Sequence, residues 1–161
     1  MQKDSRDISN NPLRLVQITD THLYRDPRAV LLGLNTQQSF EKIIDLIAAS
    51  QHTPELIVAT GDISQDASVE SYHRFAAGMA RISAPYYWIP GNHDSRQVMS
   101  SLPEYQHANT TRIVHGNWQI LMLDTSVENE VHGYLSIAEL DRLEQQLSHL
   151  PDGVQHSLVF L

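Results

Sequence analysis

Cysteine is absent from the sequence, which excludes a disulfide framework and any thiolate metal site, so a metal bound here must be held by oxygen and imidazole nitrogen. No run of about eighteen apolar residues is present to span a bilayer, and the opening stretch Met1 to Asn11 is polar and mixed in charge, unlike a signal peptide. The expectation is a cytoplasmic protein without a membrane partner. Positive charge is scarce: 11 Lys and Arg stand against 19 Asp and Glu, a formal net charge of −8, with no basic cluster that could track a nucleic-acid backbone. A polymeric nucleic acid is therefore an unsuitable partner. A small phosphate ester would also be repelled unless bound cations invert the local field. No Gly-x-Gly-x-x-Gly follows the first apolar run, which disfavours a dinucleotide-binding domain.

What is present is enough for one globular domain over residues 1–161, with residues 1–11 as a polar tail. Leu13 to Thr19 and Leu56 to Thr60 are Val- and Ile-containing strands, each followed by a helical pattern, as in a parallel sheet. Phe40, Ile43, Ile44, Ile47 and Ala48 form a helical stripe behind the candidate caps Asn35 and Thr36. A second helix near Ser68 to Ile82 aligns Tyr72, Phe75, Ala76 and Met79, and Pro85 ends it before the strand Tyr86 to Ile89. Thr111 to His115 and Trp118 to Leu123 flank Gly116-Asn117, a hairpin turn, so the sheet content is mixed. Ser136 and Glu139 read as a capping box opening a helix whose Ile137, Leu140, Leu143 and Leu147 should be buried, and Ser157 to Leu161 reads as a further buried strand.

Three clusters fall at strand carboxyl ends, where ligand sites gather in layered α/β sheets: Asp20-Thr21-His22, Gly61-Asp62 and Gly91-Asn92-His93-Asp94. Asp20 and His22, two apart, would point the same way from an extended segment and grip one cation. Asp62 could bridge two cations through its two oxygens, with Gly61 freeing the turn. Asn92 can coordinate through its amide oxygen. His93 can serve as an acid near neutral pH, with Asp94 placed to orient it or raise its basicity. A tetrapeptide such as Gly91 to Asp94 arises by chance about once in a thousand chains of this length. Asp124, ending a strand, and His132-Gly133 are ambiguous, and the remaining histidines show no grouping.

In order and spacing these clusters resemble the first three signature motifs of the calcineurin-like metallophosphoesterases. The flanking text, with Leu32 to Thr36 and His132 to Ser136, is similar more narrowly to the class III bacterial cyclic AMP phosphodiesterases. The resemblance runs from about Leu13 to the last residue. It implies a mixed-sheet α/β sandwich flanked by helices, in an α/β/β/α arrangement. It also implies two divalent metal ions, iron(II) or manganese(II), with Asp20 and His22 on the first, Asp62 bridging and Asn92 on the second. His93 would be the acid, and His22, Asp62, Asn92 and His93 would face the substrate. The implied reaction is hydrolysis of 3',5'-cyclic AMP to 5'-AMP by metal-activated water. The family pattern goes on to further histidine motifs beyond this sequence, so the expectation is an N-terminal portion. Another phosphodiester or phosphomonoester as substrate, or a non-catalytic metal- or nucleotide-binding fragment, stays open, as does the oligomeric state.

Overall fold

The computed structural model describes residues 12–161, so the polar tail expected over 1–11 lies outside the described residues. Strand β1 (Leu15–Ile18) is followed by a small hairpin of β2 (Val30–Leu31) and β3 (Leu34–Asn35), then by helix α1 (Thr36–Ala48). Strand β4 (Leu56–Thr60), helix α2 (Val69–Met79) and strand β5 (Tyr86–Ile89) come next. β1, β4 and β5 form a parallel sheet in the order β1-β4-β5, with Leu15 opposite Leu56 and Ile57 opposite Tyr86. The central strand reads Leu-Ile-Val-Ala-Thr because both its faces are covered, as parallel strands require.

The two faces are packed differently. Ile57, Ala59, Tyr86 and Trp88 meet α1 and α2 through Phe40, Ile44, Tyr72, Phe75 and Met79. Leu56, Val58 and Ile89 meet a second sheet through Ile113, Ile120 and Met122. That sheet joins β6 (Arg112–His115), β7 (Trp118–Met122) and β8 (His156–Phe160), antiparallel between β6 and β7 and parallel between β7 and β8. Gly116 at φ 57° and Asn117 make the two-residue turn expected between β6 and β7. Helix α4 (Ile137–Ser148) lies against β7 on the far side, held by Arg142 donating to the Met122 carbonyl and Gln119 donating to the Gln146 carbonyl. The layers are helices, sheet, sheet, helix, as expected for an α/β mixed-sheet sandwich. Among the described residues no helix is long and apolar enough to cross a membrane.

Aromatic rings fill the helix-side core. Phe75 stacks on Phe40 at 5.4 Å between centroids, and Trp88 is ringed by Tyr72, Phe75, Tyr86 and Tyr105. The Trp88 indole N–H donates to Asn109 Oδ1 at 2.7 Å, so burying the ring strands no polar atom. Asn35 caps α1 by accepting from the Gln38 amide at 2.7 Å.

Several sequence expectations are corrected. Of the predicted α1 stripe only Phe40 and Ile44 are fully buried; Ile47 is half-buried and Ile43 and Ala48 are exposed, because one sheet face is too narrow for a stripe that wide. The α4 stripe is not buried: Ile137, Leu140 and Leu147 are exposed and Leu143 is half-buried, since polar contacts from Arg142 and Gln119 hold the helix. Among the described residues β8 pairs with β7 alone, with Leu158 and Phe160 against the inter-sheet core and Val159 exposed, so it is not buried on both faces as expected. The expected capping box is half made. Ser136 accepts from the Glu139 amide, whereas the Glu139 carboxylate pairs with Arg142 and accepts from the Asp124 amide. The sequence reading did not anticipate the β2-β3 hairpin, the short helix α3 (Arg96–Ser101) or the 3-10 helix Pro103–Asn109 that packs on β5.

Candidate metal centre

The loops leaving β1, β4 and β5 meet at one end of the parallel sheet. Backbone hydrogen bonds sew the first two together: Asp20 N to Gly61 O at 3.2 Å, His22 N to Asp62 O at 2.9 Å and Leu23 N to Ile63 O at 2.9 Å. To make them, Asp20 (φ 56°), His22 (φ 43°) and Asp62 (φ 48°) all adopt the left-handed conformation that side-chain-bearing residues rarely take. Each costs of order 1–3 kcal/mol, and such strain gathers at functional sites. The segment carrying Asp20 and His22 is thus not extended, as the sequence suggested; left-handed turns bring the two side chains together instead.

The second and third loops approach more closely still. A Cβ on Gly61 would lie 2.9 Å from Gly91 Cα, and one on Gly91 would lie 2.2 Å from Asp62 Oδ1, so neither position admits a side chain. Through this gap the His93 amide donates to Asp62 Oδ1 at 3.0 Å. Asp94 binds both loops at once. Its Oδ2 accepts from the amides of Gly91 (2.9 Å) and Ile63 (3.1 Å), and its Oδ1 from the Ser64 amide (2.9 Å) and the Tyr72 hydroxyl (3.1 Å). The same Tyr72 oxygen accepts from the Ser95 amide at 2.9 Å. Burial holds the Asp94 carboxyl above its ordinary range against the opposing pull of these donors, and burial with the Asp94 charge raises the Tyr72 hydroxyl far above its own.

This corrects the expected role of Asp94. It makes no hydrogen bond or ion pair with His93, because adjacent side chains on a tight turn point apart and four other donors occupy its oxygens. The ring of His93 is met instead by Gln65, whose Nε2 lies 2.8 Å from Nδ1. Gln65 and Tyr72 were missed in the sequence. A tyrosine inside an otherwise apolar helical stripe was the available signal for the second, since a buried hydroxyl needs a partner; a lone loop glutamine gave none for the first.

His22 Nε2 faces Asp20 Oδ1 at 3.6 Å and Asp62 Oδ2 at 3.9 Å. These separations are too long for hydrogen bonds yet suit two ligands of one cation, each about 2.0–2.2 Å from it. Donor atoms of His22, Asp62 and His93 all lie within 4.8 Å of one another. His22 Nδ1 is buried without a partner, and among the described residues no lysine or arginine pairs with Asp20 or Asp62. Carboxylates and imidazoles that converge without a balancing cation are the chemistry of a site for a hard or borderline divalent metal. Asp20 sits at the rim, 61% exposed, with His22 and Asp62 at 17% and 15% forming the floor. Asn92 is exposed and lines a polar pocket of about 540 Å³ with His93, Arg96 and Ser126. A more apolar pocket of about 630 Å³ opens on the other flank, between Asp20, His22, Leu31, Leu34, Phe40 and Ile43.

The two ambiguous positions make contacts within the protein. Asp124 accepts from Arg96 Nε at 2.6 Å and from the Ser126 amide at 2.8 Å, fixing the wall of the polar pocket. His132 is exposed and pairs with Glu130 at 3.6 Å, and a Cβ on Gly133 would strike the Thr125 carbonyl at 2.6 Å.

The family model "Calcineurin-like phosphoesterase" matches residues 13–154. The chain is similar to the 3',5'-cyclic adenosine monophosphate phosphodiesterase CpdA of Escherichia coli (strain K12), 42% identical over 151 residues that cover 92% of this chain and 54% of the relative. It is 40% identical to CpdA of Vibrio vulnificus, covering 100% of this chain and 59% of that protein. Against CpdA of Pseudomonas aeruginosa the identity is 41%, over 83% of this chain and 49% of the relative. The chain spans about half the length of the curated relatives it matches.

Proposed function

Because the chain belongs to the calcineurin-like phosphoesterase family, we propose that it carries the first part of a two-metal centre that hydrolyses a phosphodiester, with 3',5'-cyclic AMP as substrate and 5'-AMP as product. The observation that carries the reading is the convergence of Asp20, His22, Asp62 and His93 from three strand ends, with two acidic side chains left without a cationic partner. The choice of cyclic AMP rests on the named activity of relatives 40–42% identical to this chain.

Asp20, His22 and Asp62 would hold one divalent ion, and Asp62 with Asn92 would contribute to a second, iron(II) or manganese(II). Such ions, when bound, polarise phosphoryl oxygens and lower the pKa of water to near neutrality. The chain's own residues do the rest. Asp62, anchored by the His93 amide on one oxygen, keeps the other turned to His22. The Asp94 clamp holds the second and third loops in register, so that Asn92 and His93 are carried on a frame tied by backbone hydrogen bonds. His93 stabilises negative charge on the phosphoryl group or on the departing ribose 3' oxygen. The acidic chain, at −8, leaves attraction for an anionic ester to the bound cations, which fits a small substrate and a cytoplasmic setting.

The test is hydrolysis of cyclic AMP, a glycerophosphodiester and a chromogenic phosphodiester with manganese or ferrous iron added, on this chain and on one of the relatives' length. Release of 5'-AMP that is lost in Asp62→Asn and His93→Ala supports the reading. Metal-dependent cleavage of the other esters with cyclic AMP left intact would replace the substrate, and no metal-dependent cleavage by either chain would remove the enzymatic reading.

A further inference from the structure

We propose that Gln65 is a positioning residue that fixes the tautomer of His93, holding its proton on Nε2 so that the neutral ring presents a hydrogen-bond donor to the open side of the site. The contact is direct: Gln65 Nε2 lies 2.8 Å from His93 Nδ1. An amide nitrogen can only donate, so Nδ1 must accept, and a neutral imidazole that accepts at Nδ1 carries its proton at Nε2.

Gln65 is itself held in place. Its backbone amide donates to the Leu23 carbonyl at 2.8 Å, beside the bridge between Leu23 and Ser64, and Ser64 is tied to Asp94 Oδ1. His93 is fixed at the other end by its amide on Asp62 Oδ1, and its ring meets His22 edge-on at 5.2 Å. The ring is thus held by the Gln65 amide at Nδ1 and packed at a near-right angle against His22. A carboxylate at position 65 would do the opposite to the neutral ring: above the histidine range it would accept from a protonated Nδ1 and leave Nε2 without a proton. The choice of amide over carboxylate therefore decides whether His93 offers a donor or an acceptor, and phosphoryl and departing alkoxide oxygens are acceptors. What lies opposite Nε2 rests on the phosphodiesterase reading; the tautomer does not.

The experiment is long-range nitrogen–proton NMR of the metal-free chain labelled with ¹⁵N-histidine, at a pH above the histidine range. The shift of an unprotonated ring nitrogen is expected at Nδ1 of His93, moving to Nε2 in Gln65→Glu and averaged between the two in Gln65→Ala; the other histidines report that each variant is folded. In the hydrolytic assay with metal, at the same pH above the histidine range, Gln65→Glu should lower kcat by about 10²-fold or more, with KM nearly unchanged, since a donor lost at the reacting group costs of that order and a misplaced imidazole tautomer can cost about 10⁴-fold in serine hydrolases. Gln65→Ala should add nothing in a His93→Ala background. A protonated Nδ1 in the unsubstituted chain, or the same tautomer in Gln65→Glu, overturns the proposal. The expected tautomers in a protein that cleaves no phosphoester leave Gln65 its role and remove the phosphodiesterase reading instead.

Discussion

Replacing Asp94 separates two roles that its sequence position leaves confounded, partner of the neighbouring histidine and clamp between loops. In the structure four donors converge on its carboxylate, three of them backbone amides: those of Ile63, Ser64 and Gly91, with the Tyr72 hydroxyl as the fourth. A buried donor left without a partner costs about 1–3 kcal/mol. The Tyr72 hydroxyl can rotate and the half-buried rim can admit water, so Asp94→Ala should lose about 3–5 kcal/mol, a large part of the 5–15 kcal/mol that holds a domain together. Asp94→Asn keeps the shape but turns an amide NH₂ toward two of the donors. It also removes the charge whose burial raises the carboxyl pKa, so its loss should be smaller, about 1.5–3 kcal/mol. Urea unfolding followed by Trp88, which packs against Tyr72, reads both values as a shift of midpoint at constant slope. If Asp94→Asn unfolds within about 0.5 kcal/mol of the unsubstituted chain, the clamp is wrong.

Other consequences of the packing are equally open to measurement. Gly91→Ala, which drives a methyl group onto Asp62 Oδ1, should abolish manganese-dependent stabilisation while leaving far-ultraviolet dichroism largely intact. A saturating divalent metal at about 100 times its Kd adds about 2.7 kcal/mol, so Tm should rise by about 5–10 °C on adding manganese, and Asp62→Asn should cut most of that rise. Gly78→Ala places a Cβ 2.5 Å from the Phe40 ring and should destabilise by about 1–3 kcal/mol in chemical denaturation. Asn35→Ala removes the α1 cap and should lower stability by about 1 kcal/mol by the same measurement, with no change in metal response.

The parts of this molecule that could be read in the sequence are those whose cause is local. The buried central strand Leu56–Thr60, the α2 face of Tyr72, Phe75, Ala76 and Met79, and the Gly116-Asn117 turn each follow from periodicity or turn chemistry within a few residues. The three clusters that converge were also legible, because strand-helix alternation brings strand ends together whatever the details. Side-chain direction at those ends was not. His93 and Asp94 are neighbours in sequence, yet the turn sends one to Gln65 and the other to amides of residues 63 and 64, an outcome set by backbone contacts between loops some thirty residues apart. The α4 surface failed for a related reason: the pattern of Ile137, Leu140 and Leu147 is periodic, but periodicity does not say whether a second surface lies against it.

The parallel register of the first sheet also sets a clock. Because Leu15 pairs with Leu56 and Ile57 with Tyr86, no strand of this sheet finds its partner within a hairpin, and each pairing must close a loop containing a whole helix. During synthesis Asp20 and His22 leave the ribosome long before the segment that lends Asp62 and Gly61 to their turns, and Asn92 and His93 come later still. There is no small, early version of this centre. Metal capture then becomes a late milestone, and the delay between secondary-structure formation and metal capture in a refolding experiment would time the docking of the third strand.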